Sequence, residues 1–437
     1  MVRRNGGRAG VIDRHLAPQV IAALDTSRIV NVVGPRQAGK STLIRELVPI
    51  ADYVTLDDDL ARESIRADPY GLLRSLADRH KGTGLPIALD EVQRVPEMTL
   101  ALKRIVDDDN VRGQFILTGS ADVFGLREAG DSLAGRVRTL TLRPLSAAEI
   151  QGAGPCLLLD AVEAGPAAVL PMLPQPLPFQ RSDAIDLMLR GGFPEIRTLD
   201  DRSRRSRYDS YMDSIIVSDV PVVAPVRKPQ LLRSLVNQLA ARTAQELNMA
   251  KLCEAVGARR ETLAGWIDIL ERVGLVSRLP SWSPSATRRD LSVHWPKLHL
   301  LDMGCASAIR GETPASFELG ADPTALGAIL ESYVYTELEK TRELTRSAWN
   351  FFHWRSKDRE IDIIAEGPGR RLALFEMKAS ASVSPSDFKH IDWFLSDGPG
   401  QGYAAGSVGF VVYLGDKLMP MGAGRVCLPL SMLWSFR

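Results

Sequence analysis

The stretch Gly34-Pro-Arg-Gln-Ala-Gly39-Lys40-Ser41 limits what this chain can fold into more than any other. It follows the apolar run Ile29-Val-Asn-Val-Val33 and opens an amphipathic stretch that begins Ser41-Thr42-Leu43-Ile44. Strand, glycine-rich loop and helix in that order make a phosphate cradle. The glycines let successive backbone N–H groups face the oxygens, and the helix N-terminus adds fixed partial positive charge. Lys40 would reach the β- and γ-phosphates and Ser41 would hold Mg²⁺, with Pro35, Arg36, Gln37, Ala38 and Thr42 completing the loop around ATP.

Two further runs fit the same chemistry. Leu85-Pro-Ile-Ala-Leu-Asp90-Glu91 is an apolar strand with two carboxylates at its end. Asp90 there binds Mg²⁺ through water, and Glu91 orients and deprotonates the attacking water. Gln114 to Leu117 leads into Thr118-Gly119-Ser120, which brings a hydroxyl beside the γ-phosphate if that strand lies between the first two. Arg136, in Ser-Leu-Ala-Gly-Arg, either stabilises transition-state charge, in its own chain or across to a second copy, or is a surface arginine before a strand.

With 437 residues, 45% of them hydrophobic, the chain has material for two to four domains. A formal net charge of +1 gives no global attraction to nucleic acid or membrane, so any basic surface is local, as at Arg202 to Arg207. The four cysteines are far apart and form no zinc pattern or disulfide framework. No uncharged apolar run reaches membrane-spanning length, and the cytoplasm is the expected location.

Short apolar runs at 28–33, 53–56, 85–90, 114–119 and 137–142 alternate with amphipathic stretches, which predicts a parallel sheet with helices on both faces, each strand buried on both sides. Residues 151–182 are crowded with Pro, Gly and Ala and read as a loose linker or insertion. Helical periodicity covers 183–243. Residues 244–282 give two helices, a glycine-bearing turn and a strand, the outline of a winged helix that either offers Arg259, Arg260, Thr262 and Arg272 to DNA or packs against the nucleotide domain as a lid or partner surface. From 283 to 437 the pattern is mixed α/β.

In that last segment Asp362 lies in Glu-Ile-Asp-Ile-Ile-Ala-Glu, and Glu376-Met-Lys378 follows a Gly-Pro-Gly turn. Strand alternation puts Glu376 and Lys378 on one side of a strand. Asp362 and Glu376, joined by Glu331 from a preceding helix, would hold Mg²⁺ or Mn²⁺ against a scissile phosphate, with Lys378 neutralising developing charge. The same residues also describe a hairpin with salt-bridged ends. Phe351 to Arg355 reads as a packed strand.

Gly-Pro-Arg-Gln-x-Gly-Lys-Ser-Thr, Leu-Asp-Glu-Val-Gln, Phe-Ile-Leu-Thr-Gly-Ser-Ala, Ser-Leu-Ala-Gly-Arg, Gly-Gly-Phe-Pro-Glu and Pro-Lys-Leu-His-Leu-Leu-Asp-Met-Gly together resemble the prokaryotic AAA-type ATPases that carry a C-terminal domain of unknown function. The resemblance covers nearly the whole chain apart from the Pro-rich stretch. It implies an AAA-like core at 1–150, a winged helix in the middle and a restriction-endonuclease-like end. It also implies nucleotide roles for Gly34, Gly39, Lys40, Ser41, Asp90 and Glu91. Asp13-Arg14-His15-Leu16 matches the family's N-terminal motif and either covers the adenine or starts a helix.

The expectation is therefore an α/β multidomain protein: a parallel-sheet ATPase, a helical and winged-helix middle, and a nuclease-like α/β end. ATP and Mg²⁺ are the expected cofactors, with DNA and a second copy of the chain as candidate partners. One reading is an ATPase whose nucleotide state controls a nuclease or DNA-binding module. The other is an ATP-dependent switch that binds a partner without cutting.

Overall fold

The computed structural model describes residues 10–119, 133, 135–223, 226–284, 295–318, 323–422 and 424–437. The chain forms two compact units, one of residues 1–145, 217–225 and 272–274, the other of residues 146–216, 226–271 and 275–437. Among the described residues no helix is long and apolar enough to cross a membrane.

In the first unit the five predicted runs become β1 (Ile29–Val33), β2 (Asp52–Thr55), β3 (Ile87–Asp90), β4 (Phe115–Gly119) and β5 (Val137–Thr141). They pair in parallel in the order β2-β3-β4-β1-β5. The three inner strands are wholly buried, as all-apolar runs require. The expectation of burial on both sides fails for β2 and β5, which lie at the edges and keep partly exposed residues such as Arg138 and Thr139. Helices begin where aspartates can cap them. Asp58 accepts from the Ala61 amide, and Asp68, just before Pro69, accepts from Gly71. Each such cap contributes about 1 kcal/mol. Leu73, Leu89, Leu102, Ile105, Phe115 and Leu117 then close a common core.

The Pro-rich segment of the second unit is not a loose connection. It forms the helices Leu158–Glu163 and Pro166–Met172, whose Leu158, Leu159, Val162 and Val169 are buried. Phe179 meets Trp434 edge-on at 5.7 Å, and the Leu177 amide donates to Ser435 at 2.9 Å. Prolines cut this segment into short helices, and the apolar residues between them still bury.

Residues 244–282 supply β6 (Gln245–Glu246), the helices Met249–Val256 and Arg260–Arg272, and β7 (Val276–Leu279). The expected boundary after 282 does not hold for the strand pairing. β8 (Lys297–Leu300) lies between β6 and β7, antiparallel to both. A six-stranded mixed sheet follows: β9 (Asn350–Ser356), β10 (Arg359–Gly367), β11 (Arg371–Lys378), β12 (Val408–Tyr413), β13 (Met419–Pro420) and β14 (Arg425–Pro429), in the order β13-β14-β12-β11-β10-β9. Between Ile361 and Ile364 the register of β10 against β9 shifts by one residue, a bulge that re-aims Asp362. The helix Pro323–Thr341 is buried along most of its length, and its buried acids have partners: Glu331 bonds Lys297, and Glu337 takes the Ala147 amide.

Gly-Gly-Phe-Pro-Glu and Leu-Asp-Met-Gly owe their spacing to one buried carboxylate. Asp302 accepts from the Gly192 amide at 2.7 Å, the Tyr208 hydroxyl at 2.9 Å and, as a helix cap, the Cys305 amide at 2.9 Å. A Cβ on Gly191, whose φ is +68°, would lie 2.3 Å from Asp302, and one on Gly304 would lie 2.5 Å from the Tyr208 oxygen. Asp302→Ala would orphan two buried amides and leave the Tyr208 hydroxyl only the Arg190 carbonyl at 3.1 Å, and is expected to cost about 2–4 kcal/mol in urea unfolding. Asp302→Asn keeps an acceptor and should lose less. Equal losses for both substitutions would contradict this account.

Candidate functional site

The nucleotide-binding geometry grows from the carboxyl edge of the parallel sheet, where β1, β3 and β4 end side by side. Gly34 leaves β1 with φ +152°, and a Cβ there would lie 2.0 Å from the Leu142 carbonyl oxygen, so only glycine fits. The loop then turns into a helix at Lys40. The Lys40 ammonium is buried and donates to the Gly34 and Pro35 carbonyls at 2.9 and 3.0 Å, folded back over its own loop. Burial lowers its pKa, opposed by the charges of Glu91, Asp90 and Asp219.

Asp90 is the polar hub. Its two oxygens take the Ser41 hydroxyl at 2.8 Å, the Tyr53 hydroxyl and the Thr118 hydroxyl, one from each of three neighbouring segments. Ser41 and Asp90 thus converge as a hydroxyl and carboxylate pair able to hold Mg²⁺ beside phosphates. Because β4 lies between β1 and β3, Thr118 reaches Asp90 directly; Ser120, expected to carry the sensing hydroxyl, lies outside the described residues. Glu91 follows in a left-handed conformation, φ 60°, that turns it off the strand, and Gln93 bonds its carboxylate. Burial raises the Glu91 pKa above the ordinary carboxylate value.

The surroundings of the loop add residues that local patterns do not single out. Arg14 donates to the Ala38 carbonyl and to the Arg143 carbonyl, both at 2.6 Å. Its guanidinium therefore braces the loop, a role different from covering the adenine. Arg36 pairs with Asp219, far along the chain, at 2.8 Å. Burial lifts Asp219 to about 6 despite the pull of Arg36. Arg136 does not face the loop of its own chain. Its carbonyl accepts from the Ile29 amide at the opposite end of β1, and its guanidinium grips Asp107 at 2.6 and 2.8 Å.

The second candidate cluster lies in the second unit. Glu331 and Asp362 approach one another as expected, but the cation between them is Lys297 from β8. Its ammonium lies 2.7 Å from Glu331, 2.6 Å from Glu360 and 3.6 Å from Asp362, with the side chain only 1% exposed. The other Asp362 oxygen accepts from the Met377 amide at 3.0 Å. Lys378 turns to Asp387 at 3.2 Å, and the Glu376 Oε1 is buried without a hydrogen-bond partner among the described residues.

One ammonium cannot neutralise every carboxylate around it. Burial works against the charge of Lys297, yet Glu331, Asp362 and Glu360 outweigh it and hold the ammonium protonated. Burial also opposes ionisation of Glu360, but Lys297 overcomes it and keeps the pKa low. For Glu331 burial wins and lifts the pKa to about 8, and for Glu376 burial and the nearby Asp362 push it well above the usual range. Among the described residues no group of three or more Asp, Glu, His or Cys side chains is arranged to hold a metal ion. Where a metal set of Glu331, Asp362 and Glu376 with a facing Lys378 was expected, Glu331 and Asp362 face Lys297 and Lys378 pairs with Asp387. Lys297 and Glu360 were the residues missed. The only sequence hint of Lys297 was its place in Pro-Lys-Leu-His-Leu-Leu-Asp.

Residues 26–151 match the family model described as an AAA domain. Residues 181–324 and 326–433 match two domains of unknown function, DUF8612 and DUF4143. Among curated proteins, the chain is 27% identical over 378 residues to the uncharacterized protein Rv2008c of Mycobacterium tuberculosis, covering 85% of this chain and 75% of that one. The uncharacterized protein Mb2031c of Mycobacterium bovis matches to the same extent. Among solved structures, the Walker-type ATPase PABY2304 of Pyrococcus abyssi aligns with a TM-score of 0.44 at 14% identity, over 71% of this chain and 99% of that one. AMPPCP-bound DnaA of Aquifex aeolicus aligns with a TM-score of 0.27 at 13% identity, over 58% and 86%. The AAA match and the geometry around Gly34, Lys40, Ser41 and Asp90 coincide on a parallel-sheet fold of the P-loop ATPase type.

Proposed function

We propose that the chain binds ATP with Mg²⁺ and hydrolyses it, and that its nucleotide state sets what the second unit does. The observation that carries the first half is the convergence of Ser41, Tyr53 and Thr118 on Asp90 beside the glycine loop. Lys40 exchanges the Gly34 and Pro35 carbonyls for β- and γ-phosphate oxygens. The loop from Gly34 to Thr42 turns its N–H groups to the same oxygens. Mg²⁺, when bound by Ser41 and Asp90, supplies charge neutralisation between the β- and γ-phosphates. Glu91 orients the attacking water and takes its proton.

Arg36 is the residue through which nucleotide state is felt. A phosphate arriving at the loop competes with Asp219 for its guanidinium. Asp219 sits in the segment 217–225, which continues in sequence into the second unit on both sides. Exchange of the Arg36 partner thus acts on a segment whose chain neighbours belong elsewhere.

For the second unit the reading best supported is a module that engages DNA without cutting it. Lys297, in contact with Glu331 and Glu360, favours this over an ATP-governed nuclease in which Glu376 and Lys378 are catalytic. The two helices and β7 and β8 are read as a winged helix. Arg259, Arg260 and Thr262 are exposed, while Leu263, Trp266, Ile267 and Leu270 are buried. That leaves one face for phosphates or bases.

Lys40→Ala should lose binding of a fluorescent ATP analogue. Glu91→Gln should keep that binding while phosphate release falls by about 100-fold or more, the range for loss of a general base; an undiminished rate would remove Glu91 from the mechanism. Since Glu91 acts ionised and burial raises its pKa, the acid limb of the rate profile should lie above pH 4.5, the ordinary value for this group. Arg259→Ala with Arg260→Ala should weaken duplex DNA binding and lower the slope of log K against log salt by about 1–2. DNA cleavage by the wild type with Mg²⁺ or Mn²⁺, lost in Glu376→Ala, would instead establish the nuclease reading.

A further inference from the structure

We infer that Lys297 is the resident cation of the carboxylate cluster in the second unit, so that the native chain takes no divalent metal ion at Glu331, Asp362 and Glu376. The inference rests on the binding-without-cleavage part of the function proposed above and names the physical reason for it.

Three elements deliver charge to one point. Glu331 comes from the helix Pro323–Thr341, Glu360 precedes the β10 bulge and Asp362 lies in it, and Lys297 comes from the first position of β8. Lys297 is not a loosely placed surface side chain. Its backbone is held in two directions, paired with Leu279 of β7 and Glu246 of β6. The ammonium then touches two carboxylates at hydrogen-bond distance and faces a third.

Mg²⁺ demands near-octahedral oxygen ligands at about 2.0–2.1 Å. Of the oxygens that would supply them, one of Glu331 lies 2.7 Å and one of Asp362 3.6 Å from the Lys297 ammonium, and a dication beside that fixed positive charge meets direct repulsion. Asp362 already has a partner on each oxygen: one faces Lys297 at 3.6 Å and the other receives the Met377 amide at 3.0 Å. Glu376 retains its unpartnered Oε1, but one carboxyl oxygen is not a site.

Access is not what keeps a metal out. Glu331, Glu360 and Asp362 line a cleft of about 550 Å³, with Arg242, Lys251 and Arg355 also on its walls. A hydrated ion can enter that space. Exclusion is therefore electrostatic, and Lys297 is the cation in direct contact with the carboxylates at 2.6 and 2.7 Å.

The test is a Mn²⁺ titration of the full-length, nucleotide-free protein, with free Mn²⁺ read by electron paramagnetic resonance. Wild type is compared with Asp362→Asn, Lys297→Gln, Lys297→Met and the Lys297→Gln/Asp362→Asn double variant. Wild type and Asp362→Asn should titrate alike, because neither has a metal site in the cluster. Lys297→Gln should gain a site at least about 10-fold tighter, the scale on which neighbouring groups tune metal affinity, and the double variant should lose it. Mn²⁺ should also raise the melting temperature of Lys297→Gln and not that of wild type.

A wild-type Mn²⁺ site that disappears in Asp362→Asn overturns the inference. So does a folded Lys297→Gln or Lys297→Met that binds Mn²⁺ no more tightly than wild type. If neither Lys297 variant folds, the comparison of wild type with Asp362→Asn decides alone. Failure of ATP hydrolysis or of DNA binding would leave these titrations untouched, so the two proposals fail separately.

Discussion

The first unit depends on β4 lying between β1 and β3. In a parallel sheet every strand ends at the same edge, so this order brings the glycine loop after β1, Asp90 after β3 and Thr118 in β4 within reach of one another. A direct β1–β3 pairing would leave no strand to carry a hydroxyl between them. The hub at Asp90 is a consequence of that order: a carboxylate buried to 4% is tolerated because three hydroxyls from neighbouring segments donate to it. The loop is fixed from the other side by Arg14 and by the close approach of Gly34 to Leu142. Nucleotide chemistry would thus operate on a preorganised edge, with Lys40 as the group that must move.

How much of this was legible in the sequence follows from the range of each interaction. β1 to β5 were readable because each is a short apolar run whose burial pattern is local. Gly34, Gly39, Lys40 and Ser41 were readable because the loop is contiguous, and Asp90 and Glu91 because a strand end announces them. The bracing by Arg14 spans 24 and 129 residues, and Asp219 meets Arg36 from a distant helical segment. No periodicity reports such a meeting. Of the readings of Arg136, action on the phosphates of its own chain fails for a geometric reason: its motif precedes β5, and in a parallel sheet the start of a strand lies at the edge opposite the phosphates. The Pro-rich stretch failed because proline limits helix length without preventing burial of the residues between.

The second unit makes the same point about buried charge in two ways. Asp302 is a lone carboxylate satisfied by two amides and a hydroxyl, and the glycines around it are small because a Cβ would displace those donors. The Lys297 cluster is instead an ion network with more acids than bases, and its members divide the one ammonium unequally. Glu360, more exposed than Glu331 at 31% against 11%, keeps its charge, and Glu331 holds its proton to higher pH. Removing one partner of such a network is costlier than the net contribution of the pair, since the charge left behind stays buried.

That asymmetry explains why Asp and Glu-x-Lys on a hairpin could not decide its own chemistry. Alternation fixes only that Glu376 and Lys378 share a side of β11; it does not say what faces them. Asp387 engages Lys378 from the turn after β11, and Lys297 arrives from a strand of another sheet more than sixty residues earlier. A carboxylate pair becomes a metal site when its charge is left uncompensated and its oxygens remain open. In this chain Lys297 meets the first condition in the opposite sense, and the Met377 amide occupies one oxygen of Asp362 while the other faces Lys297. The local pattern thus placed the carboxylates on the right strands. The nature of the site was set by a lysine whose role depends on β8 pairing with β6 and β7, a fact of topology that no window of sequence around Asp362 contains.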